Sequence, residues 1–350
     1  MGLPDASDSR LTALTRWMVD DLGFADSRIE PASADASFRR YFRVTRGADT
    51  YIVMDAPPDK ENVAPFVSIA QALAAMNLNV PIVLARDVSQ GFLLLSDLGS
   101  RLYLDELKAH DERGEQDGID RLYAEALKAL VTMQTAGGAA ARELPPYDRA
   151  LLLREMELFP EWFLGRHIGL VVGDRERRML DRLFDALVQA ALSQPSAFVH
   201  RDYHSRNLLL TQDNNPGILD FQDAVFGPIT YDAVSLLKDC YIAWPAERVH
   251  RWVLAYREQL MQAGTPGVAA AAAFVRWFDL MGVQRHIKVL GIFARLYYRD
   301  GKPGYLKDLP RVLDYTRAAA TAYPETAEFA EFLTTRVDPA FAAAQASFKW

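Results

Sequence analysis

A single cysteine, Cys240, in 350 residues leaves no partner for an internal disulfide. Half of the chain is apolar, yet no uninterrupted apolar run approaches the roughly 18 residues of a membrane-spanning helix. The amino terminus also lacks the basic-then-apolar pattern of a secretory leader, and a cytoplasmic protein is expected. Positive charge is in short supply: 39 Lys and Arg stand against 46 Asp and Glu, for a net charge of −7. Nucleic-acid backbones are held mainly by clustered Lys and Arg, so that class of partner is set aside. No internal repeat is visible, and the Ala-rich "VAAAAAFVRWF" reads as a good helix former.

The length suits one large or two medium domains with real cores. After the amphipathic "LTALTRWMVDDLGF", the segment "SFRRYFRVTRGADTYIVMDAP" places two β-rich runs around an "RGAD" turn and predicts a hairpin. Apolar residues at Val63, Phe66, Val67, Ala70 and Leu73 then mark one helical face, ahead of the buried-type strand "FLLL". The first hundred residues are thus expected to form a small mixed sheet with at least one packed helix. From about Ser100 onward, stretches such as "IDRLYAEALKALVTMQT" and "RERRMLDRLFDALVQAAL" carry three-to-four-residue apolar spacing, and the remainder is expected to be mainly helical.

One β interruption breaks the helical half: "AFV", the charged loop "HRDYHSRN", "LLLT", the turn formers "QDNNPG" and "ILDFQD". Turn chemistry and short apolar flanks predict a second hairpin. With its turn centred between Asn214 and Asn215, Leu208 faces Phe221, Leu209 faces Asp220, and Asn207 faces Gln222. Alternation then puts Asn207, Asp220 and Gln222 on one face, Asn207 and Asp220 on a diagonal of about 7–8 Å. Two oxygen donors so placed suit magnesium, which keeps several waters and takes other ligands from phosphates. The spacing H-x-D-x-x-x-x-N, followed thirteen residues later by D-F, is that of a phosphotransferase catalytic loop and its metal aspartate. Each residue alone is ordinary, a turn cap or a strand end; the order and spacing together carry the reading.

"HRDYHSRN" with "ILDFQDAVFGPITYD" resembles the aminoglycoside phosphotransferase and choline kinase-like family. "SFRRYFRV", "YIVMDAPP", "LLLSDLG" and "QRHIKVLGIFARL" are similar to its branch that phosphorylates N-acetylmuramate and N-acetylglucosamine at the anomeric hydroxyl in peptidoglycan recycling. The resemblance covers roughly residues 10 to 330. It implies an α+β, two-lobed protein kinase-like fold, with a nucleotide-covering lobe over 1–96 and a catalytic and acceptor-binding lobe over 97–350. It further implies ATP and magnesium as cofactors, Asp202 as catalytic base, and Asn207 and Asp220 as metal ligands. "LLLSDLG" becomes the hinge, where the backbone of Ser96 and Leu98 meets adenine, and "SFRRYFRV" replaces the phosphate-covering Gly-rich loop, with Ser37 near the phosphates. One departure stands out: the position of the family's phosphate-pairing Lys is occupied by Met54, followed by Asp55. Arg39, Arg40 and Arg43 are the candidate substitutes.

Only twelve positions separate Asp220 from Asp232, too few for a protein kinase activation segment, which disfavours a protein substrate. Asp232 is expected to brace the loop from a helix start, and Arg206 to stabilise the transferring phosphoryl group. His200 and His204 are expected to pack the loop, since no second His or Cys lies at metal-binding spacing. Gln222, Asp223 and Arg285 are candidates for reading the amino sugar, and a monomer without membrane partners is expected. The alternatives are a kinase of the same fold acting on an aminoglycoside, choline or another alcohol, and a nucleotide-binding regulator without turnover.

Overall fold

The computed structural model describes residues 8–34 and 38–347. The chain divides into two compact units, Met1–Arg101 with Leu209–Asp223, and Leu102–Leu208 with Ala224–Trp350.

In the first unit, five strands pair in the order β1-β2-β3-β5-β4, with β1 Arg28–Ala34, β2 Arg40–Arg46, β3 Asp49–Asp55, β4 Val83–Asp87 and β5 Phe92–Ser96. The predicted hairpin is β2–β3: Arg46 opposes Asp49 across Gly47 and Ala48, and Gly47 takes φ 62°, a left-handed value that glycine adopts without strain. The expected mixed sheet is instead antiparallel at every pairing. Short turns join β2 to β3 and β4 to β5, and a chain that reverses within a few residues has no other option.

Strand alternation sends Phe42 and Val44 to one face of the sheet and Tyr41 and Arg43 to the other. On the first face, Phe42, Val44, Val53, Phe92 and Leu94 bury against Leu14, Trp17 and Met18 of α1 (Ser9–Arg16) and the turn that continues it. Asp8 caps α1 by accepting the Leu11 N–H at 3.0 Å. Asp55, fully buried, accepts Arg10 Nε at 2.8 Å and Arg40 Nη2 at 2.6 Å, fastening helix to sheet. Helix α2 (Ala64–Ala75) buries Phe66, Val67, Ala70 and Leu73, the face that the spacing predicts.

The second hairpin is shorter than expected, Leu208–Leu209 against Gly217–Ile218. Its second strand stops at Ile218, and Asp220 sits at φ 63°, outside any strand. The predicted pairing of Leu209 with Asp220 therefore does not form, and alternation does not extend to Gln222. Asn214 at φ 49° and the bond from Thr211 N–H to Asn215 Oδ1 (3.0 Å) shape the long turn.

The second unit is helical, apart from the paired strands Ser196–Val199 and Val225–Pro228. Its axis is the helix Ala271–Tyr298, buried at most positions from Phe274 to Ala294 and packed against Asp174–Leu192, Tyr231–Leu237, Leu309–Ala320 and the π-helical Phe159–His167. Gly291 lets this helix approach the chain closely at Leu158: an added Cβ would sit 2.4 Å from the Leu158 carbonyl carbon. Among the described residues, no helix is long and apolar enough to cross a membrane.

Candidate active site

The strand Ser196–Val199 ends at His200 and releases the loop "HRDYHSRN", which is pinned at both ends by buried carboxylates. Asp232, in the first turn of the helix Tyr231–Leu237, accepts the N–H of His200 at 2.6 Å and of Arg201 at 3.0 Å. This is the expected brace, and it holds Arg201 at φ 76°. Burial raises the Asp232 carboxyl to about 7 against these two donors. At the far end, Asp239 accepts the Ser205 N–H at 3.0 Å and the Ser205 hydroxyl. Between them, Tyr203 donates its hydroxyl to the Ala126 carbonyl at 2.8 Å, and Asn207 Nδ2 donates to the Asp202 carbonyl at 3.0 Å.

Beneath the loop lies a buried charge cluster. Glu155 pairs with Arg201 and, at 3.0 Å, with Lys288 Nζ, while Tyr147 donates its hydroxyl to the same carboxylate. Lys288 Nζ also donates to Tyr231 Oη at 2.9 Å. Burial alone would raise the Asp202 carboxyl, but Lys288, His204, Arg285 and Arg201 outweigh it and hold Asp202 below the usual range, hence ionised. Arg285 is 3% exposed, donates to Cys240 Sγ at 3.5 Å and acts on Asp202 as a buried charge. His200 is fully buried, and the His204 ring meets Tyr241 edge-on at 5.3 Å, so both pack the loop as expected.

In the first unit, Arg43 reaches the proposed hinge segment: Nε donates to Asp97 Oδ2 at 2.6 Å and Nη2 to the Gly99 carbonyl at 3.0 Å. Ser96 donates its N–H to the Ile82 carbonyl at 2.9 Å and accepts the Ile82 N–H on Oγ at 2.8 Å. Leu98 packs beside Gly217. Arg39 pairs with Glu61 at 3.8 Å. Asp220 accepts Gln222 Nε2 at 2.7 Å, and Asp223 is exposed. Ser37 lies outside the described residues.

Residues 28–273 match the model of the phosphotransferase enzyme family, about seven-tenths of the chain. The chain belongs to that family. It is 46% identical over 336 residues to the N-acetylmuramate/N-acetylglucosamine kinase of Pseudomonas putida, covering 93% of this chain and 96% of that one. With the kinase of the same name from Neisseria meningitidis it shares 45% over 319 residues, 91% and 93% of the two chains. Its fold is shared with wild-type aminoglycoside 2'-phosphotransferase-IIIa, solved as a GDP complex, at a TM-score of 0.59, 14% identity and coverage of 89% and 99%.

In this phosphotransferase, Met54 is buried between Tyr41 and Leu93, and the cations near it are already engaged. Arg40 is drawn to Asp55 and Asp8 on the helix-covered face, and Arg43 to Asp97. Four residues of the site escaped the sequence reading: Glu155, Lys288, Asp239 and Tyr241. Lys288 had a signal, since it follows Arg285 by three positions and so shares its helical face. The other three come from distant segments, and nothing local marks them.

Proposed function

We propose that this phosphotransferase moves the γ-phosphoryl group of ATP onto the anomeric hydroxyl of N-acetylmuramate and N-acetylglucosamine, serving peptidoglycan recycling. The observation that carries the acceptor is 46% identity across nearly the whole of a kinase bearing that name, in a chain whose H-x-D loop is braced and ionised.

Asp202 accepts a hydrogen bond from the C1 hydroxyl and takes its proton as the C1 oxygen attacks the γ-phosphorus in line, with ADP leaving. The braces on His200, Arg201 and Ser205 fix the carboxylate before substrate arrives, so little reorganisation remains. Asn207 and Asp220 would hold magnesium. Both offer oxygen, and the Asn207 amide is oriented by its Nδ2 bond to the Asp202 carbonyl. When bound, magnesium supplies neutralisation of the phosphate charge. The Ser96 N–H is taken by Ile82, so an adenine contact at this residue falls to its carbonyl, with Leu98 N–H as the companion donor. Gln222, Asp223 and Arg39 remain candidates for sugar and nucleotide contacts.

A cationic acceptor such as an aminoglycoside or choline fits less well. Among the charges acting on Asp202 are Lys288, Arg285 and Arg201; Glu155 is shared by Lys288 and Arg201, and Arg285 adds a further buried positive charge that disfavours a second cation. The test is a coupled ATPase assay across free sugars, with phosphorus NMR of the product. A doublet from phosphate on C1 of either N-acetylated sugar is expected. Transfer to another hydroxyl, or to aminoglycosides or choline alone, would overturn the reading.

A further inference from the structure

Arg206 follows Asp202 by four positions and precedes Asn207. Among the described residues its guanidinium makes no hydrogen bond or ion pair, yet it is not loose: it lies over the Tyr241 ring, 3.7 Å from the centre. Platform and loop are locked by one carboxylate. Asp239 accepts the Ser205 N–H at 3.0 Å on one oxygen and the Tyr241 N–H at 2.9 Å on the other. Tyr241 is further held by the edge of His204 and by Phe293. The nearby Asp308 is occupied by Arg311 at 3.0 Å. An arginine ordinarily loses rotamer freedom when it engages a ligand; here stacking has already removed much of it. A half-buried cation, held in place on a ring with no hydrogen bond or ion pair of its own, keeps its donors available to an anion.

Two anions are at hand in the proposed reaction, the transferring phosphoryl group and the acceptor's own carboxylate. The two acceptors differ in that respect: N-acetylmuramate carries a lactyl carboxylate, and N-acetylglucosamine carries none. His204, half-buried, meets the same Tyr241 ring at 5.3 Å and feels the charges of both Asp202 and Arg206, so the guanidinium belongs to the neighbourhood of the acceptor base. Asp308, whose charge acts on the guanidinium, repels a multiply charged phosphate more strongly than a single carboxylate. A guanidinium fork also matches a carboxylate through two parallel bonds. Resting on the sugar-kinase reading above, we propose that Arg206 binds the lactyl carboxylate of N-acetylmuramate and sets the enzyme's preference between its two acceptors.

The test compares kcat/KM for both sugars at saturating ATP in the full chain and in Arg206→Met, Arg206→Lys and Arg206→Glu. The N-acetylmuramate to N-acetylglucosamine ratio should fall about 10- to 100-fold in Arg206→Met, the scale of a lost charged hydrogen-bond pair. The change should lie mainly in KM for N-acetylmuramate, recover in part in Arg206→Lys and deepen in Arg206→Glu. Tyr241→Leu, which removes the platform, should move the ratio the same way. An equal loss for both sugars would assign Arg206 to the phosphoryl group and overturn the proposal, as would an unchanged ratio. Wild-type protein that phosphorylates neither sugar would instead sink the parent reading, a failure visible before any variant is made.

Discussion

Glu155 and Arg201 form a buried ion pair one residue from Asp202, and Lys288 closes on the same carboxylate at 3.0 Å. In protein kinases, loops are ordered through new arginine contacts to an added phosphate. Here the anion that holds the loop arginine is encoded in the chain. Burial pushes the Glu155 carboxyl up, but Lys288 and Arg201 prevail and hold it below the usual range.

Removing that anion should be costly, because it leaves two cations without their carboxylate in a low-dielectric setting. Glu155→Ala should lose about 3–5 kcal/mol of stability, the scale for breaking a buried pair. Urea denaturation measures it. A loss under about 1 kcal/mol would show that the cluster is hydrated or rearranges freely.

Asp202→Asn keeps the shape of the side chain and removes its basicity. Turnover should drop by about two to four orders of magnitude, the range of general acid–base help, with the melting temperature little changed. Because Asp202 is held below the ordinary carboxylate range, the acid limb of the wild-type kcat profile should lie at or below the usual aspartate value. Near-normal turnover in the variant would take Asp202 out of the chemistry.

Gly291→Ala adds to the helix Ala271–Tyr298 one methyl that would sit 2.4 Å from the backbone carbonyl carbon of Leu158. Backbone cannot swing aside as a side-chain tip does, so the helix must shift. A loss of about 1–3 kcal/mol is expected by overpacking, read from a denaturant melt. Catalysis should suffer with it, because Lys288 sits one turn earlier on the same helix.

Stability should also fall in mild acid. Burial lowers His167 to about 4, amid the rings of Phe163, Tyr298 and Phe341. An unfolded histidine titrates near 6.5, so between those values the unfolded chain binds more protons than the folded one. The His167 contribution is therefore complete above about 6.5 and is lost as pH drops toward 4. His286, lowered to about 3 by burial, acts in the same direction, whereas the raised Asp232 acts oppositely between its ordinary value and 7. Urea midpoints at pH 7 and pH 5 should differ less in His167→Leu than in the wild type. An identical difference would show that His167 takes up its proton without penalty.

Local chemistry wrote much of this molecule openly. The alternation of Phe42 and Val44, the helical face of Phe66, Val67, Ala70 and Leu73, and the H-x-D-x-x-x-x-N spacing depend on neighbours within a turn or a strand, and those neighbours are adjacent in the chain. The family and the loop brace at Asp232 were within reach of the same reasoning. What stayed hidden required segments that meet only after folding: Glu155 with Arg201 across 46 positions, Ser205 with Asp239 across 34, Arg10 with Asp55 across 45. The register of the second hairpin was missed for a related reason. A left-handed Asp220 ends the alternation, and nothing in the letters beside it announces that backbone turn. Which charges surround Asp202 is a property of packing, because a charge acts through space rather than along the chain.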